Sequence, residues 1–140
     1  MKYFFYSIAI SALFSCDSAT SPYEKYIANL NNITKTSCAS GCSYVFSATN
    51  GVLTVKYKTP NTDAAECSAK IDDLKTEWNT LEGDVEPGID HNVMILCNSD
   101  DGKCFSGKVP TFGKIEIEIK GEANAEELMK NIDYLQQAGK

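Results

Sequence analysis

The dipeptide Asn50-Gly51 constrains the fold of this chain more than any other feature of its sequence. Asn-Gly is the preferred pair for a two-residue hairpin turn, because both residues adopt positive φ readily. A turn at this point pairs Thr49 with Val52 and fixes the register of both strands. One face of the hairpin then carries the apolar pairs Ala48–Leu53, Phe46–Val55 and Tyr44–Tyr57. Turn chemistry and hydrophobic alternation therefore predict the same β-hairpin.

Three segments have the capping residues and apolar spacing of amphipathic helices. The first begins with the capping box Ser21-Pro22-Tyr23-Glu24 and is expected to end near Asn31-Asn32. The second begins at Asp63 and ends at Gly83, and its apolar stripe is Cys67, Ile71, Leu74, Trp78 and Leu81. The third is capped by Asn124 and Glu127, and its apolar stripe is Ala125, Leu128, Ile132 and Leu135.

Three further stretches have the patterns of β-strands. Val93–Leu96 is a short apolar run of the kind that is covered on both faces. Phe105–Val109 is expected to return beside it and form a second hairpin. Lys114–Lys120 alternates strictly, so three isoleucines face the core and four charges face water.

The predicted order of elements is α-β-β-α-β-β-β-α, which indicates the α+β class. About five mostly antiparallel strands, arranged as two hairpins and one further strand, form a sheet on which an N-terminal, a central and a C-terminal helix pack. A strand followed by a terminal amphipathic helix also loosely resembles the closing element of pleckstrin-homology-like folds, which is a minor alternative.

The first residues of the chain predict an export signal. Lys2 is followed by an apolar run from Tyr3 to Phe14, and a short polar stretch comes after Cys16. Leu13-Phe14-Ser15-Cys16 resembles the cleavage site of bacterial lipoproteins, with Phe14 where a smaller residue is usual. The resemblance implies cleavage before Cys16 and acylation of that residue, and two or more acyl chains anchor a protein stably. We therefore expect a signal peptide at 1–15, a lipid-attachment cysteine with a short tether at 16–21, and one globular domain at 22–140.

The charge of the chain argues against nucleic acid as a partner. Without residues 1–15, the chain has 125 residues, 12 lysines, 19 acids and a formal charge of −7. It contains no arginine, and an acidic domain without guanidinium groups is a poor candidate for binding phosphate. The expected partners are instead a membrane, reached through the N-terminal lipid, and a protein at the envelope or outside the cell.

Six cysteines in an exported chain predict disulfides. Cys97 and Cys104 flank the second predicted hairpin loop and should form one bridge. Cys42 and Cys67 are expected to form another, between sheet and helix, and a local Cys38–Cys42 loop competes with it. If Cys16 carries no lipid, a third bridge between Cys16 and Cys38 becomes available. The cysteine spacing does not predict a metal site, and no cofactor is expected.

Few residues suggest chemistry. His91, the only histidine, lies in a predicted loop after Asp90, and no motif places a nucleophile beside it. Trp78 is expected to anchor the core, and Asn98–Asp101 to form a solvated loop tip. Asn32-Ile33-Thr34 matches a glycosylation sequon, which matters only in a eukaryotic secretory route.

Three functions remain open from the sequence alone. The first is an exported, lipid-anchored binding protein of the cell envelope with no catalytic role. The second is a secreted, disulfide-stabilised effector or toxin-like protein. The third is a small hydrolase that uses His91.

Overall fold

The computed structural model of the protein describes residues 21–83, 85–99, 101–108 and 113–140. Within these residues the chain forms two α-helices and seven antiparallel strands, which confirms the α+β class. The prediction of three helices and about five strands in one sheet is therefore wrong in its counts. The elements in chain order are α1 (Glu24–Ser37), β1 (Ser43–Thr49), β2 (Val52–Thr59), β3 (Thr62–Lys70), β4 (Leu74–Thr80), β5 (His91–Cys97), β6 (Ser106–Gly107), β7 (Lys114–Ile119) and α2 (Glu122–Ala138). The predicted signal peptide and Cys16 lie outside the described residues.

The first hairpin has the register predicted from Asn50-Gly51. Thr49 pairs with Val52, and the pairing of β1 with β2 continues to Ser43 and Lys58. The φ angles of Asn50 and Gly51 are 51° and 74°, the positive values that a tight hairpin turn of this kind requires. The buried side chains on the inner face are Tyr44, Phe46, Leu53, Val55 and Tyr57. The prediction for residues 43–59 is confirmed.

The predicted central helix is wrong, because residues 63–81 form two strands. β3 adds to β2 in a sheet of order β1-β2-β3-β6, and β4 adds to β5 in a sheet of order β4-β5-β7. Cys67, Ala69 and Ile71 are buried at alternate positions, as in a strand, and a short 3-10 turn at Ile71–Asp73 then leads into β4 at Leu74. Ala69 is small and adds little to a hydrophobic pattern. The spacing of the larger apolar side chains alone therefore matched a helix, although these residues form strands.

The predicted second hairpin is also wrong. β5 pairs with β4 on one side and with β7 on the other, so both of its edges are occupied. The returning segment instead forms β6, in which Ser106 and Gly107 pair with β3 of the other sheet. Cys97 and Cys104 nevertheless form the predicted disulfide, with an S–S distance of 2.07 Å. That bridge spans the point where the chain crosses from one sheet to the other.

Both terminal helices form, with boundaries that differ from the prediction. α1 does not end near Asn31-Asn32 but continues to Ser37, because its second half packs against β1. The expected capping box does not form: the Ser21 hydroxyl accepts a 3.4 Å hydrogen bond from the Tyr23 amide, and the Glu24 amide donates instead to the Ser21 carbonyl at 3.0 Å. α2 begins at Glu122, ahead of the predicted cap Asn124, and fully buries the predicted stripe of Ala125, Leu128, Ile132 and Leu135.

One hydrophobic core lies between the inner faces of the two sheets and the two helices. The β4-β5-β7 sheet contributes Ile115, Ile117 and Ile119 from β7, which are fully buried as the alternation predicted. The strand β7 followed by α2 is the pair of elements on which the pleckstrin-homology-like alternative rested, and that alternative stays a prediction. In the described part of the chain, no helix is both long enough and apolar enough to cross a membrane.

Candidate functional site

The segment that leads from α1 into β1 joins the two sheets. Cys38 forms an isolated β-bridge with Ile119 at the outer edge of β7. The Ala39 amide donates to the Glu118 carbonyl at 3.1 Å, and the Lys120 amide donates to the Ser37 carbonyl at 2.8 Å. An edge strand leaves backbone groups unpaired, and this segment supplies partners for those of β7.

A tight turn over residues 39–42 follows this bridge and forms one wall of a cleft. The Cys42 amide donates to the Ala39 carbonyl at 3.1 Å, and Gly41 has a φ of 78°. The cleft has a volume of about 390 Å³. Its other walls are Tyr44 of β1, the β2–β3 turn at residues 59–62, Glu86, and the outward-facing Glu116 and Glu118 of β7.

The carboxylates of the cleft differ in their hydrogen-bond partners. Glu86 accepts two hydrogen bonds from Ser40, one from the backbone amide and one from the hydroxyl, each 2.6 Å long. These bonds lower the pKa of the Glu86 carboxyl from its ordinary value. Glu116 forms a 2.8 Å ion pair with Lys114. Glu118 is exposed and forms no ion pair with any described lysine, so its negative charge is available to a ligand.

Tyr44 holds the inner wall of the cleft in place. Its hydroxyl donates to the Glu116 carbonyl at 2.7 Å and so links β1 of one sheet to β7 of the other. Burial, together with the neighbouring thiols and carboxylates, raises the pKa of Tyr44 far above its ordinary value. Tyr44 is therefore a neutral hydrogen-bond donor over the whole physiological range of pH.

Two thiols lie beside the cleft. The Cys38 Sγ atom is 3.5 Å from the carbonyl oxygen of Cys42, and both side chains are half-buried. Burial is the main reason why the pKa of each thiol is raised; Glu86 adds to the effect at Cys38, and the Cys38 thiol and Glu118 add to it at Cys42. Both thiols are therefore protonated near neutral pH and are weak nucleophiles in that form.

The predicted Cys42–Cys67 pair is not bonded, since the structure contains both residues as free thiols. That pairing assumed that Cys67 lies on a helix, whereas it lies in β3 opposite Val55, which in turn faces Phe46 of β1. Cys67 is thus about 10 Å away from Phe46 across two strand spacings, and Cys42 is four residues, or about 13 Å, further along the chain. A disulfide needs Cα atoms within about 7 Å of each other, so this pair is too far apart.

His91 lies in a different place from the one predicted. It is not in a loop but begins β5, where it is 7% exposed. Its Nδ1 atom is 2.8 Å from the Asp90 carboxylate, which also accepts a 2.6 Å hydrogen bond from the Gly121 amide. The Trp78 ring packs on the imidazole at a centroid distance of 4.8 Å. Among the described residues, no serine, threonine or cysteine forms a hydrogen bond with His91.

Trp78 and Asp101 lie outside the lining of the cleft. Trp78 is half-buried on β4 and belongs to the rim of the core, so it does sit against the core but on a strand and not on the predicted helix. At the loop tip, Asp101 accepts a hydrogen bond from the Lys103 amide at 3.1 Å. Nowhere in the described residues do three or more His, Cys, Asp or Glu side chains come together in a position to hold a metal ion.

Sequence reasoning missed the cleft. The alternation of β7 already indicated that Glu116 and Glu118 share the wet face. No local pattern, however, indicated that Ser40 and Glu86, which are 46 positions apart, hydrogen-bond beside them. The result is a concave, hydrogen-bonding and negatively charged surface, whose chemistry suits the binding of a cationic group.

No protein-family model, curated protein or solved structure matches this chain.

Proposed function

We propose that the protein is an exported, lipid-anchored binding protein of the cell envelope. The observation that carries this proposal is the N-terminal sequence, in which a short apolar run ends at Leu13-Phe14-Ser15-Cys16. The Cys97–Cys104 disulfide supports it, because such bonds persist in oxidising compartments. The short tether after Cys16 keeps the domain close to the membrane, where it meets other envelope proteins.

The cleft between the turn at residues 39–42 and β7 is the proposed binding surface. It is concave and is built from four separate segments, and the described residues of its lining include carboxylates but no lysine. Glu118 is the carboxylate of the cleft whose side chain forms neither an ion pair nor a hydrogen bond with any described residue. The partner group that fits is a lysine or arginine side chain of a neighbouring protein, which would lie against Glu118 and donate hydrogen bonds to the polar rim of the turn.

The anchor is tested by intact mass of the mature protein from membrane and soluble fractions. The expected species is found in the membrane fraction, begins at Cys16 and is heavier by two or three acyl chains. A soluble, unacylated species would contradict the anchor and favour the secreted effector.

The binding surface is tested by an NMR titration of the full chain in detergent with two peptides of equal length, one rich in lysine and one rich in glutamate. The lysine peptide should shift the amide signals of Cys42, Tyr44 and Glu118, and the glutamate peptide should not. Glu118→Gln should weaken binding about two- to fivefold, as expected for one exposed charge pair, while the matched control Glu127→Gln on α2 should not. Equal shifts with both peptides, or shifts confined to other surfaces, would contradict this assignment.

The Asp90–His91 pair favours a second candidate, a small hydrolase. An Asp–His pair can orient an imidazole for general-base catalysis once a nucleophile is added. The binding proposal expects no hydrolysis of ester or amide substrates above the background of the His91→Ala variant. Activity that is lost in His91→Ala and retained in Glu118→Gln would establish the hydrolase instead.

A further inference from the structure

The two free thiols nearest each other lie on either side of one tight turn. Cys38 forms the β-bridge to Ile119, and Cys42 closes the turn through its hydrogen bond to the Ala39 carbonyl. The Cys38 Sγ atom is 3.5 Å from the Cys42 carbonyl oxygen, which is itself only about 2.4 Å from the Cys42 Cα atom. The Cys38 Sγ atom therefore lies within about 6 Å of the Cys42 Cα atom, which brings the two sulfurs within reach of each other by side-chain rotation.

Neither thiol has another described partner within reach. Cys97 and Cys104 are already bonded to each other. Cys67 is 1% exposed in the inner face of the first sheet, two strands away, and burial raises the pKa of its thiol to about 11. It is too far from Cys42 to form a bridge and is closed to solvent.

We infer that Cys38 and Cys42 form a second disulfide in the exported protein, and that Cys67 remains a buried thiol. The inference rests on the proposed export, since a disulfide needs an oxidising compartment. The reaction is thiol–disulfide exchange with the disulfide of an oxidoreductase. The S–S bond of the oxidoreductase breaks, one S–S bond forms between Cys38 and Cys42, and the two thiol protons and two electrons pass to the oxidoreductase, which leaves as a dithiol.

The bridge would act on the cleft. The turn that it closes carries Ser40, which holds Glu86 through two hydrogen bonds, and Cys42 itself lines the cleft. A covalent bond across the turn limits the conformations available to this wall before any ligand arrives, and such preorganisation improves binding. The second disulfide would thus shape the proposed binding surface.

Trypsin separates the cysteines in a way that tests this directly. Cleavage after lysine puts Cys38 and Cys42 together on peptide 36–56, Cys67 on 59–70, Cys97 on 76–103 and Cys104 on 104–108. The full-length chain, exported by a bacterial host, is denatured in N-ethylmaleimide without reductant, digested and weighed. We expect peptide 36–56 to carry no label and to be about 2 Da lighter than its reduced form, because two thiol hydrogens are lost on oxidation. Peptide 59–70 should carry one label, and 76–103 should be joined to 104–108.

Two variants sharpen the result. Cys38→Ser should leave one labelled thiol at Cys42, whereas Cys67→Ser should leave the bridge in peptide 36–56 unchanged. Two labels on peptide 36–56 alongside a linked 76–103 and 104–108 would overturn the inference while export stands. A cross-link between 36–56 and 59–70 would overturn it as well. Labels on all five cysteines from Cys38 to Cys104 would overturn both the inference and the proposed export.

Discussion

Single side chains complete the hydrogen bonding of the edge strands in this protein. The clearest case is Asn31 of α1, whose amide lies against the open edge of β1. Its Nδ2 donates to the Phe46 carbonyl at 3.0 Å, and its Oδ1 accepts from the Phe46 amide at 2.7 Å. The side chain thus occupies the place of a neighbouring peptide group. Thr34, one turn later, donates to the Tyr44 carbonyl at 3.3 Å. Together they attach α1 to the sheet and protect an edge that could otherwise pair with another chain.

Replacing Asn31 by alanine should therefore destabilise the protein. Asn31→Ala removes two hydrogen bonds to partly buried backbone groups, and we expect the free energy of unfolding to fall by about 1–3 kcal/mol. Urea denaturation followed by Trp78 fluorescence measures this. Asn32→Ala is the matched control, because Asn32 is the exposed neighbour on the same helix. Equal effects of the two variants would show that the contact with β1 contributes nothing.

The Asp90 carboxylate is the residue whose environment predicts a pH dependence. The hydrogen bond with His91, followed by that from the Gly121 amide, lowers the pKa of Asp90 in the folded protein. A lowered folded pKa adds stability above the unfolded pKa of about 4, and this contribution is lost as the pH falls through the folded pKa. Asp90→Asn should thus be less stable than the parent at pH 7 and lose less stability between pH 4 and pH 2.

Denaturation midpoints at several pH values measure this dependence. Asp63→Asn is the control, since Asp63 is exposed on β3 and forms no hydrogen bond to a described residue through its side chain. If Asp90→Asn retains the full acid sensitivity of the parent, the carboxylate at position 90 is not its source.

At the scale of elements, the short strand β6 depends on a close backbone approach. Gly107 has a φ of 88°, and a Cβ atom there would lie 2.5 Å from the Glu66 carbonyl oxygen of β3. The same carbonyl accepts a 3.0 Å hydrogen bond from the Lys108 amide, and the Lys108 carbonyl accepts one from the Tyr57 hydroxyl at 2.8 Å. Only glycine combines this φ with so close a contact.

Gly107→Ala should separate β6 from β3. The expected result is faster hydrogen exchange at the amides of residues 106–108 and a lower midpoint of denaturation, because the added methyl meets backbone that has little room to move. Gly83→Ala separates this clash from the strain of positive φ, since Gly83 has a φ of 106° but no atom of a described residue lies within 4 Å of a Cβ placed there. A larger loss of stability in Gly83→Ala would mean that φ strain, and not the contact with Glu66, is the important term.

At the scale of the whole molecule, several connections join the two sheets within the described residues. The first is the turn between β3 and β4, and the second is the bridge from Cys38 to Ile119. The third is the crossing from β5 of one sheet to β6 of the other, which the Cys97–Cys104 disulfide closes. A closed covalent loop reduces the entropy of the unfolded chain, so this bond stabilises the arrangement of the two sheets.

Removing that disulfide should weaken the fold without abolishing it. For a closed loop of about eight residues, chain entropy predicts a loss of about 2–3 kcal/mol in the double variant Cys97→Ala, Cys104→Ala. Urea denaturation of the oxidised parent and the variant gives the difference. Reduction of the Cys38→Ser variant, in which Cys97–Cys104 is the one bridge expected among the described residues, should lower the midpoint by a similar amount. If reduction leaves the urea denaturation midpoint of the parent unchanged, contacts other than the disulfide hold the crossing from β5 to β6 in place.

Local chemistry in the sequence was sufficient for the β1–β2 hairpin, β7 and α2. In each of them the signal lies within one element: Asn50-Gly51 sets the turn and the register, Ile115, Ile117 and Ile119 alternate, and Leu128 and Ile132 keep a helical spacing. The pairing of Cys97 with Cys104 was also predicted correctly, although the hairpin from which it was argued does not form. Export and Cys16 remain predictions from the sequence.

Only the tertiary structure decided the rest, because the deciding partners are distant in the chain. Residues 63–81 have an apolar spacing that fits a helix, yet the free edge of β2 and the strand β5 supply hydrogen-bond partners for two strands. Likewise β6 pairs with β3 because both edges of β5 are taken. The cleft forms where the turn at residues 39–42, Glu86 and β7 lie side by side, and no single stretch of sequence indicates that these segments are neighbours. A periodic pattern indicates which side chains will be buried in the core. Which strand pairs with which depends instead on the strand edges that the rest of the fold leaves without hydrogen-bond partners.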